Sequence, residues 1–151
     1  MLWQDDTTTD LGNVGALWWN TPTAINQRGD IAGFLGDPGF PEGDVVHAFL
    51  WTKQDGLRQL NALPGHFYAE ADGINEHRQV VGTSCDLDFV DCRAVIWEKG
   101  VDPTDLNTVI QAGYTNRLEN GKDINDSGEI TGRSIDRVTG ARTPVLLVPT
   151  H

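Results

Sequence analysis

The chain has 151 residues, of which 38% are hydrophobic and five are tryptophan, so it can bury the core of one domain and is not disordered. Its 17 glycines and 7 prolines favour a turn-rich β protein over a helical bundle. The net charge of −11 repels phosphate backbones and anionic lipids, so we expect neither nucleic acid nor a membrane as partner. No apolar run is long enough for a transmembrane helix, and we see no signal peptide at the N-terminus.

A hairpin signature returns three times along the chain, about fifty residues apart. The signature is built on Asn26, Asn75 and Asn125. In each copy, isoleucine ends a strand, asparagine opens a turn, and an apolar-x-Gly strand begins five residues after the asparagine. Glycine supplies the positive φ of the turn in two copies, whereas the second copy carries Arg78. We therefore predict local strain, or a differently shaped turn, at Arg78.

Two further units keep step with this hairpin. Residues 47–51 and 93–97 are apolar strands that end in tryptophan, and Leu2-Trp3 resembles the tail of an earlier copy. A leucine unit follows each tryptophan: Asp10-Leu11, Gln59-Leu60 and Asp105-Leu106. These units predict an all-β domain of three four-stranded repeats over the whole chain, at about 1–46, 47–92 and 93–140, with a closing strand at 141–149.

The repeat resembles the HAF repeat family of bacterial extracellular repeat proteins. The tripeptide that names this family stands here as His47-Ala48-Phe49, followed by Leu50-Trp51. The second copy has Arg93-Ala94-Val95 instead, and the last copy has lost its tryptophan. The resemblance implies a secreted, extracellular location and a repeat architecture, and it implies no catalytic residue.

Four strands in about fifty residues are typical of a β-propeller blade. Propellers need four to eight blades, so three blades and one strand predict either a homodimer that completes a ring or further blades of a longer array. The closing strand would then pair with the first blade of a neighbouring chain. A self-closed β-trefoil monomer is the alternative fold.

Cys85 and Cys92 flank a short acidic loop and predict a disulfide, which indicates an oxidising compartment. The loop contains Asp86, Asp88 and Asp91, which are weak candidates for calcium ligands. It lacks the glycine and the terminal glutamate of a helical calcium loop, so we expect a solvated acidic loop and no cofactor.

Paired aromatic residues precede two of the three hairpins. Trp18 and Trp19 lie at the same offsets from Asn26 as Phe67 and Tyr68 lie from Asn75, and Tyr114 is near the third copy. Aromatic faces in equivalent loops suit stacking on sugar rings, although packing between repeats explains them as simply. Trp3, Trp51 and Trp97 end apolar strands, and we expect them in the core.

No nucleophile elbow, phosphate-binding glycine loop or zinc-protease motif is present in the sequence. The leading hypothesis is therefore a non-catalytic extracellular module for assembly or for ligand or protein binding. A carbohydrate-binding module using the loop aromatics is the first alternative. A hydrolase with an unrecognised carboxylate site is the second.

Overall fold

The computed structural model describes residues 7–12, 19–37 and 45–150, excluding the side chains of Trp19 and Asp37. These ranges contain eleven strands and one short 3₁₀ helix, which confirms the prediction of an all-β protein. The strands are β1 (Trp19–Ile25), β2 (Ile31–Asp37), β3 (Val45–Thr52), β4 (Gly56–Leu60), β5 (Tyr68–Ile74), β6 (Val80–Cys85), β7 (Cys92–Trp97), β8 (Thr104–Asp105), β9 (Arg117–Ile124), β10 (Ile130–Ile135) and β11 (Arg142–Leu147). The 3₁₀ helix is η1 (Leu106–Thr108). None of the described helical structure is long and apolar enough to cross a membrane.

The strands form three antiparallel meanders in chain order. The first contains β1 to β4, the second β5 to β8, and the third β9 to β11. The first two meanders join through one parallel bridge, Val46 with Tyr68, into an eight-stranded sheet, and the third forms a separate sheet. The described strands close no barrel.

Strand register makes the three meanders equivalent position by position. Ile31, Val80 and Ile130 open the second strand of each meander and pair with Trp51, Trp97 and Leu147. β11 therefore stands where the two tryptophan strands stand. The predicted boundary at 46/47 falls inside β3 and the boundary at 92/93 inside β7, because a repeat can be cut at any phase of its period. The third meander has three described strands where four were expected.

The core lies between the meanders rather than within one of them. One cluster joins Ala32, Ala48, Leu50 and Leu60 of the first meander to buried residues of the second, including Ile74 and Trp97. Another joins the equivalent side chains of the second meander, Val81, Ala94, Ile96 and Leu106, to Leu118, Ile124 and Ile130 of the third. Trp97 is buried and Trp51 is half-buried, while Trp3 lies outside the described residues. Each meander therefore covers its neighbour with the same set of positions.

A glycine in the second strand of each meander allows the first strand to approach closely. A β-carbon on Gly82 would lie 1.8 Å from the carbonyl oxygen of Glu70. A β-carbon on Gly33 would lie 2.1 Å from the carbonyl oxygen of Thr21, and one on Gly132 would lie 2.1 Å from that of Asn120. The first strand bulges beside these glycines, at Thr23 and at Asp72. The recurring glycine thus reflects a backbone contact that no other residue fits.

Candidate functional site: the stacked turns and the ends of the repeat stack

The asparagine of each hairpin closes its own turn. The side-chain oxygen of Asn75 accepts hydrogen bonds from the backbone N–H groups of His77 and Gln79, both at 3.0 Å. Asn26 does the same with Arg28 and Asp30, at 3.0 and 2.9 Å. An asparagine side chain that binds the backbone further along the chain is the usual device of such turns.

The same asparagines also join one turn to the next. The amide of Asn26 donates to the carbonyl oxygen of Asn75, and the amide of Asn75 donates to that of Asn125, each at 3.0 Å. A second contact runs in parallel, because the N–H of Gln27 donates to the carboxylate of Glu76 and the N–H of Glu76 donates to Asp126 at 2.9 Å. The three turns therefore stack into a ladder with a repeated set of bonds.

Arg78 adds an ion pair to this ladder. It has a φ of 57°, the left-handed conformation that Gly29 and Gly128 adopt at 83° and 80°, so the strain predicted at this position is present. Its guanidinium donates to both carboxylate oxygens of Asp30 in the preceding turn, at 2.7 and 3.1 Å. Burial opposes ionisation of Asp30, but hydrogen bonds from Arg78 and Asn26 outweigh it and hold its pKa below the usual value. The ion pair therefore joins the second turn to the first.

The stacked turns line an open surface depression of about 570 Å³. Its lining consists of the Ile-Asn pair and the following residue of each turn, which is Gln27, Glu76 or Asp126. The carboxylates of Glu76 and Asp126 accept the ladder bonds described above, so the polar groups of the depression hold the turns together.

The ladder ends at the third turn. Asn125 donates to its own Glu129 at 2.7 Å, and among the described residues it makes no bond to a further turn. The faces at both ends of the stack are exposed in the same way. Ile25 is 66% exposed although its equivalents Ile74 and Ile124 are buried, and Leu146 is 63% exposed although its equivalents Leu50 and Ile96 are buried.

We call the two exposed surfaces the head face and the tail face. The head face contains Ile25 and Ile31 of the first meander, at the positions through which the second and third meanders cover their predecessors. The tail face contains Thr131, Pro144 and Leu146 of the third meander, at the positions that the next meander covers in the first two. Both faces continue an interface that the chain already forms twice.

A disulfide joins Cys85 to Cys92, as predicted, with their Cα atoms 4.1 Å apart at the directly opposed ends of β6 and β7. The loop that it closes exposes an apolar patch, formed by Leu87, Phe89 and Val90. Tyr68 meets Phe89 edge to face, with ring centroids 5.0 Å apart. The tyrosine hydroxyl donates to Glu70, and burial, followed by this bond, raises the pKa of Tyr68.

The predicted aromatic binding residues are only partly brought together. Phe67 is half exposed and lies next to Tyr68, which packs on Phe89, whereas Tyr114 is exposed between η1 and β9. Trp18 and the side chain of Trp19 lie outside the described residues. Phe89 was missed from sequence, because it follows the loop rather than the repeat period.

Two of the three carboxylates considered for calcium bind other groups of the protein. Asp86 accepts from the N–H groups of Val90 and Asp91 at 2.9 and 3.0 Å, which shapes the loop. Asp91 binds Arg93 at 2.9 Å, and this bond, against the cost of burial, holds its pKa low. Asp88 is exposed, and no cluster of three potential metal ligands occurs among the described residues.

A serine, a histidine and an aspartate beside the disulfide are connected by successive side-chain contacts. The hydroxyl of Ser84 is 2.8 Å from Nδ1 of His66, and Nε2 of His66 is 3.5 Å from Asp91. Sequence reasoning missed this series of side-chain contacts because the three residues lie in different segments. Ser84 is completely buried, and its oxygen accepts a bond from the N–H of Leu63 at 3.0 Å. An attacking nucleophile needs an accessible oxygen with space for substrate, so this arrangement suits anchoring of the 61–66 loop better than acyl transfer.

A buried acid lies at the interface between the second and third meanders. Asp72 occupies the bulge of β5, where its side chain is only 9% exposed and 3.8 Å from the ammonium of Lys122. Burial, and then hydrogen bonding and repulsion from Glu70, raise the pKa of Asp72 to about 8, although Lys122 opposes the shift. At the equivalent bulge, Thr23 donates to the carbonyl of Ala71 at 2.6 Å. The bulged residue therefore also contacts the next repeat.

Comparison with known proteins gives little beyond the structure itself. No family model matches the chain, and no solved structure matches it. A segment of 62 residues, 40% of this chain, is 39% identical to part of phenyloxazoline synthase MbtB from Mycobacterium sp. (strain MCS). The chain spans about 5% of the length of that protein.

Proposed function

We propose that this protein is a non-catalytic, extracellular repeat module that assembles through the exposed ends of its repeat stack. The observation that carries the proposal is the pair of surfaces at the two ends. The residues of the head face and the tail face stand at the positions that form the two interfaces between meanders inside the chain. Ile25 and Leu146 are nevertheless exposed at these positions. Apolar positions of a recurring interface that face solvent mark a place for a further repeat.

The β-propeller is the closure that we favour for this assembly. Each new meander packs its first strand on the middle strands of the preceding one, β5 on β2 and β3, and β9 on β6 and β7. A trefoil would close on itself within one chain, whereas the described strands leave both ends of the stack open. The disulfide is compatible with an oxidising, extracellular location, and so is the resemblance to HAF repeats.

Light scattering over a range of concentrations tests the proposal. We expect an assembly larger than one chain, and we expect Leu146→Glu to return it to a monomer, because a charge would be buried on the tail face. Val138→Glu is the matched control, since Val138 is 94% exposed on a hairpin outside both faces. A monomer at every concentration, or equal effects of the two variants, would contradict the proposal.

Carbohydrate binding is the second candidate, favoured by the half-exposed rings of Phe67 and Phe89 beside the disulfide loop. Rings fixed on a rigid loop can stack on the apolar face of a sugar. A glycan array with the protein and its Phe89→Ala variant tests this candidate. Hits that disappear in the variant would support it, and an array without hits would remove it.

A further inference from the structure

The N-terminal segment, residues 9–12, repeats the fourth strand of the second meander. Thr9-Asp10-Leu11 is identical in sequence to Thr104-Asp105-Leu106. The local geometry matches as well, because the N–H of Gly12 donates to Asp10 at 2.9 Å and the N–H of Asn107 donates to Asp105 at 2.8 Å. However, residues 9–12 belong to no described strand, whereas Thr104–Asp105 is β8.

The third meander offers the position that this segment would fill. In the first two meanders the fourth strand pairs with the third, β4 with β3 and β8 with β7. It lies on the edge of the third strand that faces away from the second strand of the meander. Among the described residues, no strand pairs with the same edge of β11. Among the described residues, the fourth-strand sequence at 9–12 is therefore unpaired, and β11 has no fourth strand beside it.

The equivalent pairs define the register of the missing contact. β8 joins β7 through Val95 with Asp105 and Ile96 with Thr104. β11 pairs with β10 in the same register in which β7 pairs with β6. Val145 and Leu146 of β11 are therefore equivalent to Val95 and Ile96 of β7. Asp10 would therefore lie opposite Val145, and Thr9 opposite Leu146. Because only Val145 and Leu146 of β11 take part in this contact, Pro144 lies outside it. The missing N–H of Pro144 therefore does not prevent the strand pairing.

Leu11 provides a second reason for this contact. Its equivalents Leu60 and Leu106 are buried on the face that each meander offers to the next, together with Leu50 or Ile96. Leu11 is only half-buried in the chain, and the tail face beside Leu146 is exposed. Seating Leu11 beside Leu146 would bury the parts of both apolar side chains that the isolated chain leaves accessible to water.

We propose that the N-terminal segment of one copy of this chain adds as the fourth strand to β11 of a second copy. This inference rests on the proposed assembly and names its partner, a second copy in head-to-tail contact. The two ends of the stack would then be joined by strand addition and by packing of the head face on the tail face.

Cysteine cross-linking between two different variants tests the contact. Thr9→Cys and Leu146→Cys are prepared separately, mixed and oxidised, with thermal unfolding used to show that each keeps the native fold. We expect a disulfide-linked heterodimer from this mixture. Val138→Cys replaces Leu146→Cys in the matched control mixture, which should give at most a small fraction of that product.

Leu11→Ala gives an independent measurement. Because Leu11 is not part of the described core clusters, the variant should fold normally while its dissociation constant rises about tenfold, the effect of losing roughly 1.4 kcal/mol of contact.

The outcomes separate the two proposals. Self-association by light scattering without the specific cross-link would overturn strand addition and leave the assembly proposal standing. A monomer at all concentrations would overturn both. A Thr9→Cys/Leu146→Cys double variant that cross-links within a single chain would overturn the second-copy partner.

Discussion

Replacing Asn75 by alanine should destabilise the protein much more than replacing Asn125. Asn75 is 3% exposed and makes four hydrogen bonds: two from backbone N–H groups, one to Gln79 at 2.6 Å and one to the carbonyl of Asn125. At about 1 kcal/mol for each bond in a buried site, Asn75→Ala should lower the free energy of unfolding by about 3–4 kcal/mol.

Asn125 is a matched control for this change. It is exposed, and its side chain forms two bonds, one from the N–H of Glu129 at 2.9 Å and one to the Glu129 carboxylate at 2.7 Å. Exposed bonds exchange readily with water, so Asn125→Ala should cost about 1 kcal/mol. The difference between the variants, about 2–3 kcal/mol, combines the ladder bond to Asn125, the extra turn bond from His77 and the burial of the middle turn.

Urea unfolding at low micromolar concentration, where an assembly is dissociated, measures both values. For a chain of this size, Asn75→Ala should also lower the melting temperature by about 10 °C. Equal losses in the two variants would refute the reasoning, because they would show that only the local turn bonds contribute to stability.

Three further predictions address the close strand contact of the second meander, its disulfide, and its interface with the third meander. Gly82→Ala should cost about 3 kcal/mol or more in urea unfolding, because its β-carbon would overlap the carbonyl of Glu70; a cost below 1 kcal/mol would mean that the strand crossing is looser. Replacing both Cys85 and Cys92 by serine should cost about 2 kcal/mol, the entropy of opening a short loop, and an unchanged midpoint would contradict this. The raised pKa of Asp72 means that folding favours its protonated form, so its contribution to stability is full below about pH 4 and is lost as pH rises towards 8. The melting temperature of Asp72→Asn should therefore rise relative to that of the parent protein as pH rises from 4 to 8. A difference in melting temperature that stays constant over this range would contradict the raised pKa of Asp72.

The repeat and its turns could be predicted from sequence because they depend on local chemistry. Asparagine and glycine at fixed positions determine a turn, and the spacing of the three copies indicates equivalent hairpins. The strain at Arg78 was predictable for the same reason, since a non-glycine residue occupied a glycine position. The disulfide followed from two cysteines that flank a short loop.

The contacts between side chains distant in sequence could not be predicted, because they depend on which side chains the fold brings together. The pairing of Arg78 with Asp30, the line from Ser84 to Asp91, and the buried Asp72 each join residues from different turns or strands. Sequence order does not show that a bulged residue points to the next repeat. The direction of the asparagine ladder likewise appears only when the turns are stacked.

The solution mass of the pure protein tests the central claim most directly. Static light scattering from low to high micromolar concentration should show a transition from 16.5 kDa towards twice that mass. Added salt should promote the transition, because two chains of net charge −11 repel each other less when screened. A constant 16.5 kDa at every concentration and salt level would show that the head and tail faces remain in solvent, and would contradict assembly by the repeat ends.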